Sequence, residues 1–265
     1  MRTDEAPLHV WVEEVMGIPV SVHLRSRGAL PAAGTEEAVR ACFDELHDID
    51  RVFSPYLRGS DVSRICRGSL AMEDADHRVA TIADACRQAE IETDGLFSAY
   101  WQGWFDPTGY VKGWAVEEAA RRHLAPLMAQ DIAVGINAGG DMQLFTAPDT
   151  DWQWHIGIAD PHHPGALLAT LDVVNGAVAT SGTAERGAHI VDPRSGEPAT
   201  SVASATVVDD SLARADIWAT AAVVAGFTDR SWIADAGTRT GLLVAADGRV
   251  TRWLDGVVVE VAAAA

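Results

Sequence analysis

The chain has 265 residues, 48% hydrophobic and 22% charged, a length and balance that bury a sizeable core without staples and stand far from the disordered regime. Its formal net charge of -18 repels nucleic acid and anionic membranes, so an anionic ligand binds only where local cations, backbone N–H groups or a metal ion overturn that field. Residues 1–7 are polar and acidic with no basic-then-apolar leader, and no apolar run reaches membrane-spanning length, so a soluble, cytoplasmic protein without membrane insertion is expected.

Residues 9–24 alternate β-branched and polar side chains on both sides of Met16-Gly17, which predicts β structure interrupted at that pair. Gly34-Thr35-Glu36-Glu37 opens a helix to about residue 52, its first-turn acids matching the helix dipole. Ser60 is expected to cap a short helix ending near Arg67, and Asp76 to begin another that Asp94-Gly95 closes. These segments carry Cys42, Cys66 and Cys86, an odd set with no C-x-x-C pair; they read as reduced, mostly buried thiols, without a disulfide framework or zinc site. A Trp-rich segment, residues 100–105, leads into a turn bracketed by Gly109 and Gly113. A helix is predicted from Gly113 to about residue 130, bent at Pro126.

From Ile132 the pattern changes to strands at 132–136, 142–145, 152–159, 167–174, 177–180 and 202–208, with Gly, Pro, Asp and Asn between them. Ser211 reads as the N-cap of a helix over 212–225, a short helix follows at 231–236, and Asp247-Gly248 joins a hairpin of 242–245 and 249–253. Helices gathered in the first half and hairpin strands in the second predict an α+β fold, with mixed, largely antiparallel sheets on which the helices pack. No repeat or linker divides the chain, so residues 1–265 are expected to form one domain.

Four constellations could carry chemistry. Of the 20 lysine and arginine residues Lys112 is the only lysine, and it sits in the glycine-bracketed turn that begins at Asp106. A compact ammonium fits a tight turn where a guanidinium fork does not, and the following helix N-terminus would present N–H groups to an anion. An ordinary loop entering a helix reads the same way. Asn137-Ala138-Gly139-Gly140-Asp141 suits either a hairpin turn or close ligand approach. Ser181-Gly182 precedes His189-Ile190-Val191-Asp192-Pro193-Arg194-Ser195-Gly196, where His189 is either structural or an acid–base group projecting from a strand end. On a helix Asp216 and Thr220 lie one turn apart and present two hard oxygens that suit Mg²⁺; alternatively the Asp pairs with a neighbour such as Arg214 and Thr220 packs. Asp160-Pro161-His162-His163-Pro164 reads as a solvated turn with diverging histidines, not a metal site.

In this order the segments resemble the ApbE family of FAD:protein FMN transferases. The resemblance rests on Met16-Gly17, on Ser54 with Tyr56 and Ser60, and on residues 106–115 as a D-x-x-G-x-x-K-G-x-A turn. It continues through Asn137 to Asp141, Ser181-Gly182, the segment from His189 to Gly196, and residues 215–220 as A-D-x-x-A-T. It departs from the family at Ile18 after Met16-Gly17, at Cys66 where Asn is common, and at Tyr110-Val111 before Lys112.

The resemblance implies an ApbE-like, T-fold-like architecture with its active site between the helical and strand-rich parts. It implies a Mg²⁺-dependent enzyme that splits FAD, links FMN through a phosphoester to a Thr or Ser of an acceptor protein, and releases AMP. Some relatives resemble FAD pyrophosphatases, and a non-catalytic FAD-binding protein is the further alternative; a role in thiamine synthesis has no support in these residues. By the same resemblance Asp216, Thr220 and the Val111 carbonyl would ligate Mg²⁺ and His189 would act as the base. Met16, Ser54, Tyr56, Asp106, Lys112, Gly139, Gly140, Asp141, Ser181 and Gly182 would line the flavin nucleotide site.

Overall fold

Strands that alternate apolar with polar residues bury one face each, and here they assemble into a sheet with a covering layer on both sides. The computed structural model describes residues 7–26, 34–130, 132–148, 150–183 and 189–259, so the start at residues 1–6, where no leader was read, lies outside the described residues. The first hairpin pairs β1 (Leu8–Val15) with β2 (Ile18–Ser26). Its turn has φ 55° at Met16 and 71° at Gly17, the left-handed pair that a two-residue loop needs to follow the strand twist.

Four helices follow: α1 (Thr35–Phe53), α2 (Asp61–Cys66), α3 (His77–Glu92) and α4 (Thr108–Ala119). In α1 the buried residues Val39, Cys42, Phe43, Leu46, Ile49, Val52 and Phe53 recur at helical spacing and form one stripe. Ser60 Oγ caps α2 by accepting from Ser63 N, and Asp76 caps α3 by accepting from Arg78 N. Asp94 (φ 49°) and Gly95 (φ 76°) close α3 as expected. Past Ala119 the helix widens to a π turn over Ala120–Leu124 and tightens to a 3₁₀ turn over Ala125–Gln130, so the expected bend is a change of helix type that begins before Pro126.

The second half supplies β3 (Ile132–Ala138), β4 (Asp141–Thr146), β5 (Trp154–Ala159), β6 (Leu167–Val173), β7 (Gly176–Gly182) and β8 (Val202–Asp209). After α5 (Leu212–Ala225) and α6 (Trp232–Ala236) come β9 (Thr240–Ala245), β10 (Val250–Leu254) and β11 (Val257–Val259). Among the described residues nine strands form one sheet in the order β1-β2-β3-β4-β7-β8-β9-β10-β11, and β5 pairs with β6 apart from it. Every pairing of these strands is antiparallel, which narrows the mixed sheet of the sequence reading.

Neighbouring residues of one strand point to opposite layers. Ala177, Ala179, Ala205 and Val207 join the core beneath the helices, whereas Val178 and Val208 join a smaller core under the β5–β6 hairpin. α5 lies across β7 and β8 and packs on α4. Its run Leu-Ala-Arg-Ala-Asp-Ile-Trp-Ala-Thr-Ala-Ala-Val-Val-Ala is buried at most positions, so beyond the first-turn Arg214 the polar groups at Asp216 and Thr220 stand out within an apolar helix.

Candidate active site

The structure moves Lys112 from a turn into a helix. α4 begins at Thr108, not at Gly113, because Gly109 and Gly113 are used for close packing and not for bending the chain. A Cβ on Gly109 would stand 3.1 Å from Phe97 Cε2, and one on Gly113 would stand 3.0 Å from the Leu212 carbonyl and 3.1 Å from Asp216 Cβ. The helix N-terminus is therefore at Thr108, where Asp106 Oδ1 already accepts from Thr108 N (3.1 Å) and Thr108 Oγ1 (2.7 Å). The anion-binding N–H groups expected just after Lys112 are interior to α4.

The contact at Gly113 sets Lys112 beside α5. Its ammonium pairs closely with Asp141 Oδ2 and stands 3.6 Å from Asp216 Oδ2, an ion-pair separation too long for a hydrogen bond. The Asp141 and Asp216 side chains are 2% and 5% exposed, against 35% for Lys112. Asp141 Oδ1 accepts from Thr180 N at 2.9 Å, which ties the start of β4 to β7. Asp216 Oδ2 is buried without a hydrogen-bond partner, whereas Asp141 Oδ2 is held by the Lys112 ammonium. Burial pushes the Asp216 carboxyl up to about 7; the Lys112 charge opposes that rise and Asp141 adds to it. One turn along α5, Thr220 Oγ1 and Ser181 Oγ lie 3.0 Å apart. The alternative partner for Asp216 is not used, because Arg214 reaches Glu92, Asp209 and the Ala236 carbonyl instead.

These groups open into a cleft of about 450 Å³. Met16, Ser54, Tyr56, Asp106, Val111, Lys112, Ser181, His189, Asp216 and Thr220 all line it, although they come from segments as far apart as the first hairpin and α5. His189 and Tyr56 are exposed, Ser54 is buried, and the Ser54 carbonyl accepts from Ser60 Oγ (2.5 Å) and Ser63 Oγ (3.2 Å), which fixes the loop carrying Tyr56. The His189 segment is braced by a Val191–Pro198 bridge and by Asp192, which accepts from Arg194 N, Nε and Nη2.

Four expected residues do not line the cleft. Gly139 (φ 61°) and Gly140 (φ 101°) form the β3–β4 turn, where Asn137 Oδ1 accepts from Gly140 N at 2.8 Å and Gly139 packs on the cleft residue Ile18. Gly182 ends β7 where a Cβ would meet the Ala203 carbonyl at 2.4 Å, so close backbone packing accounts for it. Asp141 acts on the cleft through Lys112. Conversely, Asp50, Phe97, Trp101, Gln102, Thr108 and Pro193 line the cleft and were not singled out; only the density of tryptophan near residue 101 hinted at a pocket wall.

Cys42 and Cys86 are buried, and burial pushes their thiols up to about 12. Two of the three thiols are thus buried, in line with the mostly buried reading; Cys66 is the exposed one, and its Sγ donates to the Phe105 carbonyl next to Asp106 (3.1 Å). His162 and His163 diverge as expected: one ring meets the Ala245 carbonyl at 3.0 Å, the other Asp160 at 2.9 Å.

Among the described residues no cluster of three or more His, Cys, Asp or Glu side chains could hold a metal ion. The chemistry of the Asp216 and Thr220 pair is nevertheless all hard oxygen, with one carboxylate oxygen left without a hydrogen bond. That suits Mg²⁺, which commonly takes one or two carboxylates and completes its shell with water and substrate phosphate.

An antiparallel α+β fold with this Lys–carboxylate cluster in an open cleft defines a class to which known proteins are similar. The sequence model of the ApbE family matches residues 103–242. An "FAD:protein FMN transferase" of Rhodobacter capsulatus is 34% identical over 155 residues, which span 55% of this chain and 29% of that protein. The ApbE protein of Thermotoga maritima superposes with a TM-score of 0.78 at 21% identity, covering 93% of this chain and 97% of the other. The apo flavinyl transferase ApbE of Pseudomonas stutzeri gives 0.71 at 22%, covering 94% of each chain. The flavin transferase ApbE of Vibrio cholerae gives 0.73 at 18%, covering 94% and 98%. The chain belongs to the ApbE family, and its fold is that of the ApbE structures.

Proposed function

We propose that this chain is a Mg²⁺-dependent FAD:protein FMN transferase acting on a Thr or Ser hydroxyl of an acceptor protein. The observation that carries the reading is the convergence of His189, Lys112, Ser181, Asp216 and Thr220 on one cleft. The oxygen of the acceptor hydroxyl attacks the FMN-side phosphorus of FAD; the new O–P bond forms as the diphosphate P–O bond breaks, and AMP leaves. His189 takes the hydroxyl proton. Lys112 keeps Asp141 and Asp216 in place and adds positive charge beside the diphosphate, while Met16, Ser54, Tyr56, Asp106 and Ser181 hold the flavin nucleotide. Asp216, Thr220 and the Val111 carbonyl would hold Mg²⁺, which when bound supplies the charge that neutralises diphosphate oxygens. Gly139, Gly140 and Gly182 support the site by shaping the backbone behind it. The whole chain acts as one catalytic unit with a cytoplasmic acceptor.

Incubation with FAD, Mg²⁺ and a candidate acceptor tests this, with mass spectrometry for the FMN adduct. A labelled acceptor with release of AMP supports transfer. Steady FMN and AMP with the acceptor unlabelled assigns the chain as an FAD pyrophosphatase. FAD turnover that is equal, or equally absent, in the parent and in His189→Ala removes the catalytic reading of that residue, and bound but intact FAD in both makes the chain a carrier. Asp216→Ala is expected to abolish the Mg²⁺-dependent activity.

A further inference from the structure

The helices that carry the two halves of the charge cluster are joined at a second point. Glu117 lies on α4, beyond Lys112 in the direction of its C-terminus, with its side chain 16% exposed. Its Oε2 accepts from Ser211 Oγ at 2.6 Å and from Ala213 N at 3.1 Å. Ser211 is the N-cap of α5 and itself accepts from Arg214 N at 3.3 Å. The first turn of α5 is thus capped twice, once by its own serine and once by a carboxylate from another helix. A carboxylate at that end also meets the positive pole of the α5 dipole. The other carboxylate oxygen, Oε1, accepts from Arg121 Nε at 2.9 Å, and Arg121 Nη2 reaches the Asp210 carbonyl just ahead of α5 at 3.2 Å.

We propose that Glu117 is a positioning residue, whose cap on α5 fixes how α4 and α5 slide against each other and so sets Lys112 opposite Asp216 and Thr220. Two pins act on one helix pair. The Gly113 contact sets how near the helices come, because a Cβ there would meet Leu212 and Ala213 backbone atoms at 3.0 and 3.2 Å. Steric contact alone does not set their register; at that level the Gly113 backbone and the Lys112 charge act on the Asp216 carboxylate. The Glu117 cap adds a second constraint remote from the cluster, because its hydrogen bonds to Ser211 and Ala213 are directional and act on a side chain nearly withdrawn from solvent. Glu117 is not among the residues lining the cleft, so its effect reaches ligand only through Lys112 and α5.

That this register serves FAD rests on the function proposed above, whereas the register itself does not, and the test separates the two. Lys112 is the only lysine in the chain, so lysine labelled with ¹³C at Cε gives one side-chain NMR signal from this site. The variants are Glu117→Ala; Glu117→Gln, whose amide oxygen can still accept from Ser211 and Ala213; and Asp76→Ala, which removes the N-cap of α3 away from the cleft. Glu117→Ala is expected to move the Lys112 signal and to weaken FAD binding in the presence of Mg²⁺ by about fivefold, as for loss of one capping interaction. Glu117→Gln restores both to near the parent values. Asp76→Ala lowers the melting temperature comparably and changes neither. A folded Glu117→Ala protein with an unmoved Lys112 signal, or a shift matched by Asp76→Ala, overturns the positioning role. A moved signal with no FAD binding by the parent upholds the register and refutes the flavin reading alone.

Discussion

Gly113→Ala sets helix propensity against packing, and the structure decides the sign. Replacing a helical glycine with alanine gains about 1 kcal/mol in an open helix. Here the new methyl would lie 3.0 Å from the Leu212 carbonyl oxygen, 3.1 Å from Asp216 Cβ and 3.2 Å from Ala213 Cα. Carbon contacts are comfortable at roughly 3.5–4.0 Å, so α4 and α5 must part by several tenths of an ångström. Two of the three obstructing atoms are backbone of a buried helix, so no flexible side-chain end can swing clear. Overpacking of that kind costs about 1–3 kcal/mol, and against the gain in helix propensity we expect a net loss of up to about 2 kcal/mol, read as a fall of up to about 5 °C in melting temperature. The same displacement draws Asp216 away from Lys112, and a misplacement of this order at a reacting site lowers kcat/KM for FAD by about tenfold or more. Thermal unfolding and FAD turnover are measured side by side. A Gly113→Ala protein that melts higher than the parent, with full turnover, would refute the close-packing account of α4.

Other expectations concern strain and pH. Met16 holds φ 55° in the first turn while lining the cleft, a conformation that costs a non-glycine residue about 1 kcal/mol. Met16→Asn should raise stability by up to about that amount, because asparagine favours such turns, and should weaken FAD binding; a variant that binds FAD as tightly as the parent removes Met16 from the site. Asp76 hydrogen-bonds Arg78, which holds its carboxyl well down, at about 2. A carboxyl with a depressed folded pKa stabilises the protein above its unfolded value of about 3.9, and that stability is lost as pH falls toward about 2. The side chain is partly solvated, so Asp76→Asn should lower stability by only about 1 kcal/mol at neutral pH. Urea midpoints of the two proteins should converge between about pH 4 and pH 2, and a gap that stays constant over that range contradicts the Arg78 explanation.

What could be read from the sequence follows from how local its cause is. The Asp247-Gly248 hairpin, the Ser60 and Ser211 caps, the helix start at Asp76 and the helix opened by Gly34-Thr35-Glu36-Glu37 each depend on a few adjacent residues, and each is found as expected. Gly109 and Gly113 misled for the opposite reason. A glycine that bends the chain and one that admits another helix look alike until Phe97 and Leu212 are placed in space. The short strand β11 went unread because Val257–Val259 has too few residues to show a period. In the site, the motif residues converge, but their partners were hidden. Nothing within the 94 residues separating Glu117 from Ser211 announces their hydrogen bond, nor that Asp141 instead of Arg214 shares a cluster with Asp216.

The charge balance of the cleft changes what Lys112 can do. A lone lysine in a protein of net charge -18 invites the view that it is the local cation for a diphosphate. In the folded chain that ammonium already faces two buried carboxylates, Asp141 and Asp216. Asp50 and Asp106 also line the cleft, and Lys112 is the one lysine or arginine among the lining residues described. Two unit charges about 4 Å apart at an effective dielectric constant of about 20 interact by roughly 4 kcal/mol, so the Asp141 carboxylate already offsets most of what Lys112 offers a diphosphate, and Asp216 adds repulsion whenever it is ionised. Lys112 alone therefore does not turn the site from anion-repelling to anion-binding. A divalent cation on the oxygens of Asp216 and Thr220 would reverse that sign beside Asp216 Oδ2, a buried carboxylate oxygen without a hydrogen bond. On this argument the lysine's first task is to make two buried carboxylates tolerable before ligand arrives, and diphosphate binding should depend on the divalent ion and not on Lys112 alone.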